Sequence, residues 1–187
     1  MNLKSFFKST LGSVAIEFAL VMPLYILILT SGFELTMYAL LQNKIHRLAG
    51  VIGDTISRQP LDRETLEAYI SESNQFVTPF TFEPGKITVS QIQNVDETDD
   101  RENMRISWQE SFQGNASKMG VPGDFPTGLP ESFTLTGEKT AIVTEVSYEF
   151  SSFVFASLIG NQNIYAFYAT VPRKGTMNTL LGEPSIF

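Results

Sequence analysis

Two residues near the amino terminus have a chemistry that simple space-filling does not explain: Gly12 and, with four residues between them, Glu17. Gly12 closes a short leader, Met1 to Gly12, which carries Lys4 and Lys8 and no acid. A peptidase needs a small residue at its cut, in a chain not yet buried in lipid, and Gly12 meets both needs. Cutting after it creates a new ammonium on Ser13. Glu17 then stands one helical turn from that charge, able to pair with its own terminus or with that of a neighbouring chain. The carboxylate is otherwise costly. From Phe18 to Phe33 no side chain is charged, and a charge near a bilayer centre costs about 3 kcal/mol on insertion scales. Glu17 lies nearer one end and costs less, yet an ordinary signal sequence has no use for it. A chance glycine ahead of an uncleaved signal anchor would give the same pair of residues.

The element that must position both residues is a long helix. Ser13 to Phe33 is just long enough to cross a bilayer, which takes roughly 20 residues. The pattern then continues: Leu35, Tyr38, Leu41, Ile45, Leu48, Ile52 and Ile56 recur at spacings of three and four. That is the apolar stripe of an amphipathic helix, with Gln42, Asn43, Lys44, His46 and Arg47 on the other face. A cleaved signal would end in small residues and a break; Thr30-Ser31-Gly32 is a poor substitute for one. The expected organisation is a leader over 1–12, one transmembrane and amphipathic helix over 13–57, and an extracytoplasmic domain over 58–187. Pro23 lacks an N–H and should bend or loosen the helix, and Pro60 ends it. Flanking charge barely orients the span, since Lys4, Lys8 and the amino terminus precede it and Lys44, Arg47 and Arg58 follow it.

Beyond the long helix, Asp62 can cap a short helix that runs to about Glu72, with Leu61 and Leu66 as a hydrophobic staple. The remainder reads as strands. Ile87 and Val89 alternate with polar residues, as do Met104, Ile106 and Trp108. Ile142, Val146, Tyr148 and Phe150 share one face of a third strand, with Thr144 as the exception. Ile164 to Val171 is apolar on both faces, as in a central or packed strand. Gly120 to Pro130 holds three Gly and three Pro and reads as a loop. The expected class is therefore α+β: an antiparallel sheet packed on the amphipathic half of the long helix.

Gly12-Ser13-Val14-Ala15-Ile16-Glu17-Phe18, set between a basic leader and an apolar helix, resembles the class III signal of type IV pilins and pseudopilins. More narrowly, Ala15-Ile16-Glu17-Phe18-Ala19-Leu20-Val21-Met22-Pro23 is similar to the amino-terminal signature of the TadE-like minor pseudopilins of the tight-adherence (Flp, type IVb) pilus system. A looser similarity lies in Thr144-Glu145-Val146-Ser147-Tyr148 followed by Val171-Pro172-Arg173. Residues 60 to 140 carry no resemblance. The resemblance implies a prepilin-type leader cut after Gly12 by an integral-membrane aspartic peptidase on the cytoplasmic face. It makes Gly12 and Ser13 the processing residues and Glu17 and Phe18 the assembly residues. It further implies a pilin-like fold and a role in pilus assembly and adhesion. The partners it implies are other pilin and pseudopilin subunits, the prepilin peptidase, the inner-membrane pilus platform and membrane lipid. The chain would sit single-pass in a bacterial inner membrane, its carboxy-terminal domain outside, and be able to pass into an extracellular pilus.

Composition narrows the alternatives. The net charge is −7 with no basic patch, which argues against nucleic-acid binding. There are no cysteines, hence no disulfide and no thiolate chemistry. His46 is the lone histidine, so a zinc site would need three carboxylates, and neither a metal nor another cofactor is expected. Asp96-Glu97-Thr98-Asp99-Asp100-Arg101-Glu102 has the carboxylates that Ca²⁺ favours but not the spacing or the glycine of an EF-hand, and it reads as a solvated hairpin turn. The aromatic run Tyr148 to Phe155 suits a sheet core or a subunit contact. No Gly-x-Ser-x-Gly or phosphate-binding glycine loop occurs, so no catalytic residue is assigned. Two other readings stay open: a signal-anchored extracytoplasmic binding module that never polymerises, and a membrane-tethered enzyme.

Overall fold

The computed structural model describes residues 10–58, 63–83, 85–96, 101–114, 117–135, 139–152 and 161–172. Helix α1 spans Thr10–Arg58, with Pro23 inside it. Two short helices follow, α2 (Arg63–Ser71) and α3 (Ser73–Val77). Then come β1 (Gly85–Asn94), a 3-10 turn (Arg101–Asn103), β2 (Met104–Phe112), β3 (Thr140–Phe150) and β4 (Gln162–Thr170). The strands form one antiparallel sheet in the order β2-β1-β3-β4. The α+β class expected from the sequence is the class observed. The residues proposed to cap and staple the short helix, Asp62 and Leu61, lie outside the described residues, as do the side chain of Leu66 and the helix-ending Pro60.

The chain divides into two compact units, Met1–Ala39 with Ser151–Asn161, and Leu40–Phe150 with Gln162–Phe187. In the second unit α1 keeps one stripe dry: Leu41, Ile45, Leu48, Ala49, Ile52 and Ile56 are buried, and Gln42, Asn43, His46 and Arg47 are exposed. Each such Leu or Ile contributes roughly 1.5–3 kcal/mol when fully buried. The stripe is shorter than its sequence period implies, because Leu35 is 70 % exposed and burial begins at Leu41. Gly53 sits in the stripe at the closest approach to the sheet. A Cβ there would lie 2.7 Å from Cδ1 of Tyr168 and 3.2 Å from Oγ1 of Thr144. Ile87, Val89, Ile142, Val146 and Ala166 belong to the same face of the sheet, by their register with Thr144 and Tyr168.

The opposite face has its own core. Ile92, Met104, Ile106, Ala141 and Val143 are buried there under Met119, Leu129 and Leu135, which come from the long β2–β3 connection. That connection includes the Gly/Pro-rich stretch read from the sequence as a loop. Backbone bonds seat it against β2, since the Ile106 amide donates to the Asp124 carbonyl (3.1 Å) and the Gly123 amide to the Ile106 carbonyl (2.8 Å). The Arg101 guanidinium holds its far end by donating to the carbonyls of Leu129 (2.9 Å) and Pro130 (3.0 Å).

One strand expectation is corrected. Met104, Ile106 and Trp108 do not share a face: the β1–β2 register slips between Gln91 and Ile92, pairing Gln91 with Trp108 and Ile92 with Ile106. The extra residue, Ser107, makes a bulge that sends Trp108 to the face of Gln91, whose Oε1 accepts from the indole Nε1 at 2.8 Å. Of the two kinds expected for the strand apolar on both faces, central or packed, it is the packed one. It is the edge strand β4, double-sided because Ile164 and Ala166 serve one core while Phe167 and Ala169 pack on the other.

Candidate functional site: the amino-terminal half of the long helix

Between Val14 and Leu35 the helix shows its apolar side chains to the outside all round: Phe18 is 61 %, Leu20 76 %, Leu29 71 % and Phe33 63 % exposed. None of its most apolar stretch is buried, and by length and composition the helix is able to cross a membrane. The hydroxyls of Thr30, Ser31 and Thr36 are turned inward onto the helix. Thr30 Oγ1 donates to the Ile26 carbonyl (2.8 Å), Ser31 Oγ to Leu27 and Thr36 Oγ1 to Gly32 (2.8 Å). In hydrocarbon that removes donors which would otherwise lack a partner.

Gly12 and Ser13 lie in the first turn of α1, which begins at Thr10. The amides of a first turn have no intrahelical acceptor, so this is where a helix opens most readily. Glu17 and Phe18 follow, both exposed. Helical spacing places Glu17 on the same side as Ser13, one turn on. At the other end of the apolar stretch Glu34 accepts a hydrogen bond from Ser152 Oγ at 2.8 Å, within the first compact unit. In the sequence Glu34 is simply the first charge after the uncharged stretch. Nothing local signals a contact that joins residues this far apart in the chain.

With that geometry established, one comparison decides the assignment of this segment. Residues 12–50 match the family model of the TadE-like proteins. The match opens on Gly12, takes in Glu17, Phe18 and Pro23, and ends in the part of α1 that packs on the sheet; it includes none of the strands. The suspected TadE-like resemblance is thus found by an independent route. The TadE-like family is associated with the tight-adherence pilus system. No curated protein and no solved structure matches the chain.

The other candidates stand apart from this site. His46 is exposed on the polar side of α1. Of the acidic run, residues 97–100 lie outside the described residues, while Arg101 is occupied in holding the β2–β3 connection. Among the described residues no group of three or more potential ligands could hold a metal ion. In the aromatic run Tyr148 is buried, with its hydroxyl donating to the Thr81 carbonyl (2.7 Å), and Phe153 to Phe155 lie outside the described residues.

One polar cluster escaped the sequence reading. Glu145, fully buried on β3, accepts from Ser117 Oγ (2.7 Å), the Lys118 amide (2.8 Å) and the Tyr165 hydroxyl (2.5 Å). Lys118 Nζ lies 4.1 Å above the Tyr165 ring. Burial, and then the neighbouring carboxylate, raise the Tyr165 pKa above its ordinary value. The available signal was an acid in the middle of an apolar strand. The cluster fastens the β2–β3 connection to the sheet.

Proposed function

We propose that this chain is a minor pilin-like subunit of a tight-adherence pilus system. It would be cut after Gly12 and anchored in the inner membrane by α1 until it joins other subunits. The observation that carries this reading is the exposed apolar half of α1, continuous with a half that is packed on a sheet. A soluble monomer rarely leaves more than a few hundred Å² of contiguous apolar surface in water. Lipid covers such a helix before assembly, and the helices of neighbouring subunits cover it afterwards. Glu17 is the one charge between Val14 and Phe33. Among packed apolar helices a carboxylate is tolerable when it meets an ammonium, so pairing with a Ser13 terminus sets the register between subunits. Leader 1–12, helix 13–57 and domain 58–187 are then the processed piece, the assembly element and the exported module. Peptidase, platform and pilin subunits are the partners.

Glu17→Ala tests it beside Glu17→Asp. The alanine variant should be cleaved and inserted normally, and insertion should become slightly easier, because a charge has left the apolar stretch. It should fail to incorporate into pili or to crosslink to the major pilin, while the aspartate variant retains part of both. Wild-type assembly by Glu17→Ala would favour instead an anchored binding module that does not polymerise.

A further inference from the structure

We infer that the free edge of β4 is a docking edge for an extended, uncharged strand of a partner protein. Strand β4 (Gln162–Thr170) closes one side of the sheet, and among the described residues only β3 pairs with it. The pairing runs without a slip from Phe150↔Gln162 to Ile142↔Thr170. In such an antiparallel ladder, alternate residues turn their N–H and C=O to one neighbour and the rest turn theirs to the opposite side, so about half of β4 offers its backbone outward. Among the described residues, no backbone bond from a turn or loop reaches residues 163–170.

An open edge invites pairing, and folded chains blunt it with charge, proline, a bulge or a covering segment. The opposite edge of this sheet has charge, a bulge and a cover. Strand β2 includes Arg105 and Glu110 and is bulged at Ser107. It is covered at Ile106, whose amide donates to the Asp124 carbonyl (3.1 Å) and whose carbonyl accepts from the Gly123 amide (2.8 Å). By contrast β4, Gln-Asn-Ile-Tyr-Ala-Phe-Tyr-Ala-Thr, has no charge, no proline and no bulge. One edge is closed to other strands and the other is left open.

The side chains of β4 define what fits there. A strand laid beside it meets Ile164 and Tyr168 on one face, with Tyr168 39 % exposed, and the half-buried Tyr165 and Phe167 on the other. Pairs of aromatic residues with aromatic or β-branched ones stabilise neighbouring strands. A charge in the middle of the partner would meet none on β4. The partner segment is thus extended, uncharged in its middle and apolar on both faces. Bonds to its main chain hold it, and the rings of β4 select it.

The probe is a labelled synthetic peptide with the sequence of residues 162–170 and two lysines at each end; β4 itself supplies the uncharged, doubly apolar strand. Its control peptide carries Ala166→Pro and Ala169→Pro, which leave the aromatic rings in place. Positions 166 and 169 turn their amides to opposite sides, so a ladder bond is lost whichever side faces β4. Both peptides are titrated into the full chain in detergent, and backbone amide exchange is followed by mass spectrometry. Expected is saturable binding of the first peptide, weakened about tenfold or more in the control. Exchange should slow in β4 and stay unchanged in β2. No binding, equal binding of the two peptides, or protection of β2 as strong as that of β4 overturns the inference. So does a free chain in which every β4 amide already exchanges slowly. If that protection ignores protein concentration, the chain covers its own edge; if it fades on dilution, a second copy does. None of these readouts involves Gly12 or Glu17, so failure here leaves the proposed function standing.

Discussion

Gly53 and Gly32 show how differently the two halves of one helix treat the same residue. At Gly53 a Cβ would press on Tyr168 and Thr144, whereas at Gly32 nothing lies within 4 Å. Gly to Ala within a helix gains about 1 kcal/mol from backbone entropy, and overpacking a tight site costs about 1–3 kcal/mol. Gly53→Ala should therefore lower the Tm of the detergent-solubilised protein, and Gly32→Ala should leave it unchanged or raise it; equal shifts would mean the close approach is absent. The Glu145 cluster gives a second residue-scale expectation. A tyrosine whose folded pKa is raised contributes stability that is complete below its unfolded value near 10 and is lost as pH rises above it. Tyr165 is raised by burial and by Glu145, and Tyr148 by burial. Thermal melts of the wild type should thus fall from pH 9 to pH 11, and the gap between wild type and Tyr165→Phe should narrow over that interval. A constant gap would show that Tyr165 takes no part in the alkaline loss.

Among the elements, those with a strong period were the legible ones. The apolar stretch and the three-and-four spacing of Leu41 to Ile56 announce α1, and the alternation at Ile87 and Val89 announces β1. What stayed hidden depends on pairing. A bulge at Ser107 has no glycine or proline to mark it, yet it reverses the faces of everything after it in β2. The β2–β3 connection reads as a loop from its Gly and Pro, but that it closes a second core with Met119, Leu129 and Leu135 emerges only from long-range contacts. Likewise β4 has the composition of a central strand and the position of an edge, because both its faces happen to be covered. In the candidate site, Gly12 and Glu17 stand out in the sequence as a small residue and a charge at the start of an apolar helix. The Glu34–Ser152 contact was not. Orientation of α1 belongs to this scale as well. Flanking charge is nearly balanced, so a reporter fused at Phe187 is needed: alkaline phosphatase should be active there. An inactive phosphatase with an active cytoplasmic reporter at the same point would reverse the topology.

For the whole molecule, the account joins one helix with two environments to a domain of two cores. The domain buries apolar side chains on both faces of the sheet, whereas the first half of α1 leaves its own exposed. The proposed cut after Gly12 would set the helix free to leave the membrane. The most direct measurement is the amino-terminal residue of the mature protein, read by mass spectrometry from a host that carries a prepilin peptidase, beside a Gly12→Leu variant. The account predicts that the mature chain begins at Ser13 and that the variant accumulates uncut. An intact Met1 on the wild-type protein in that host would contradict it.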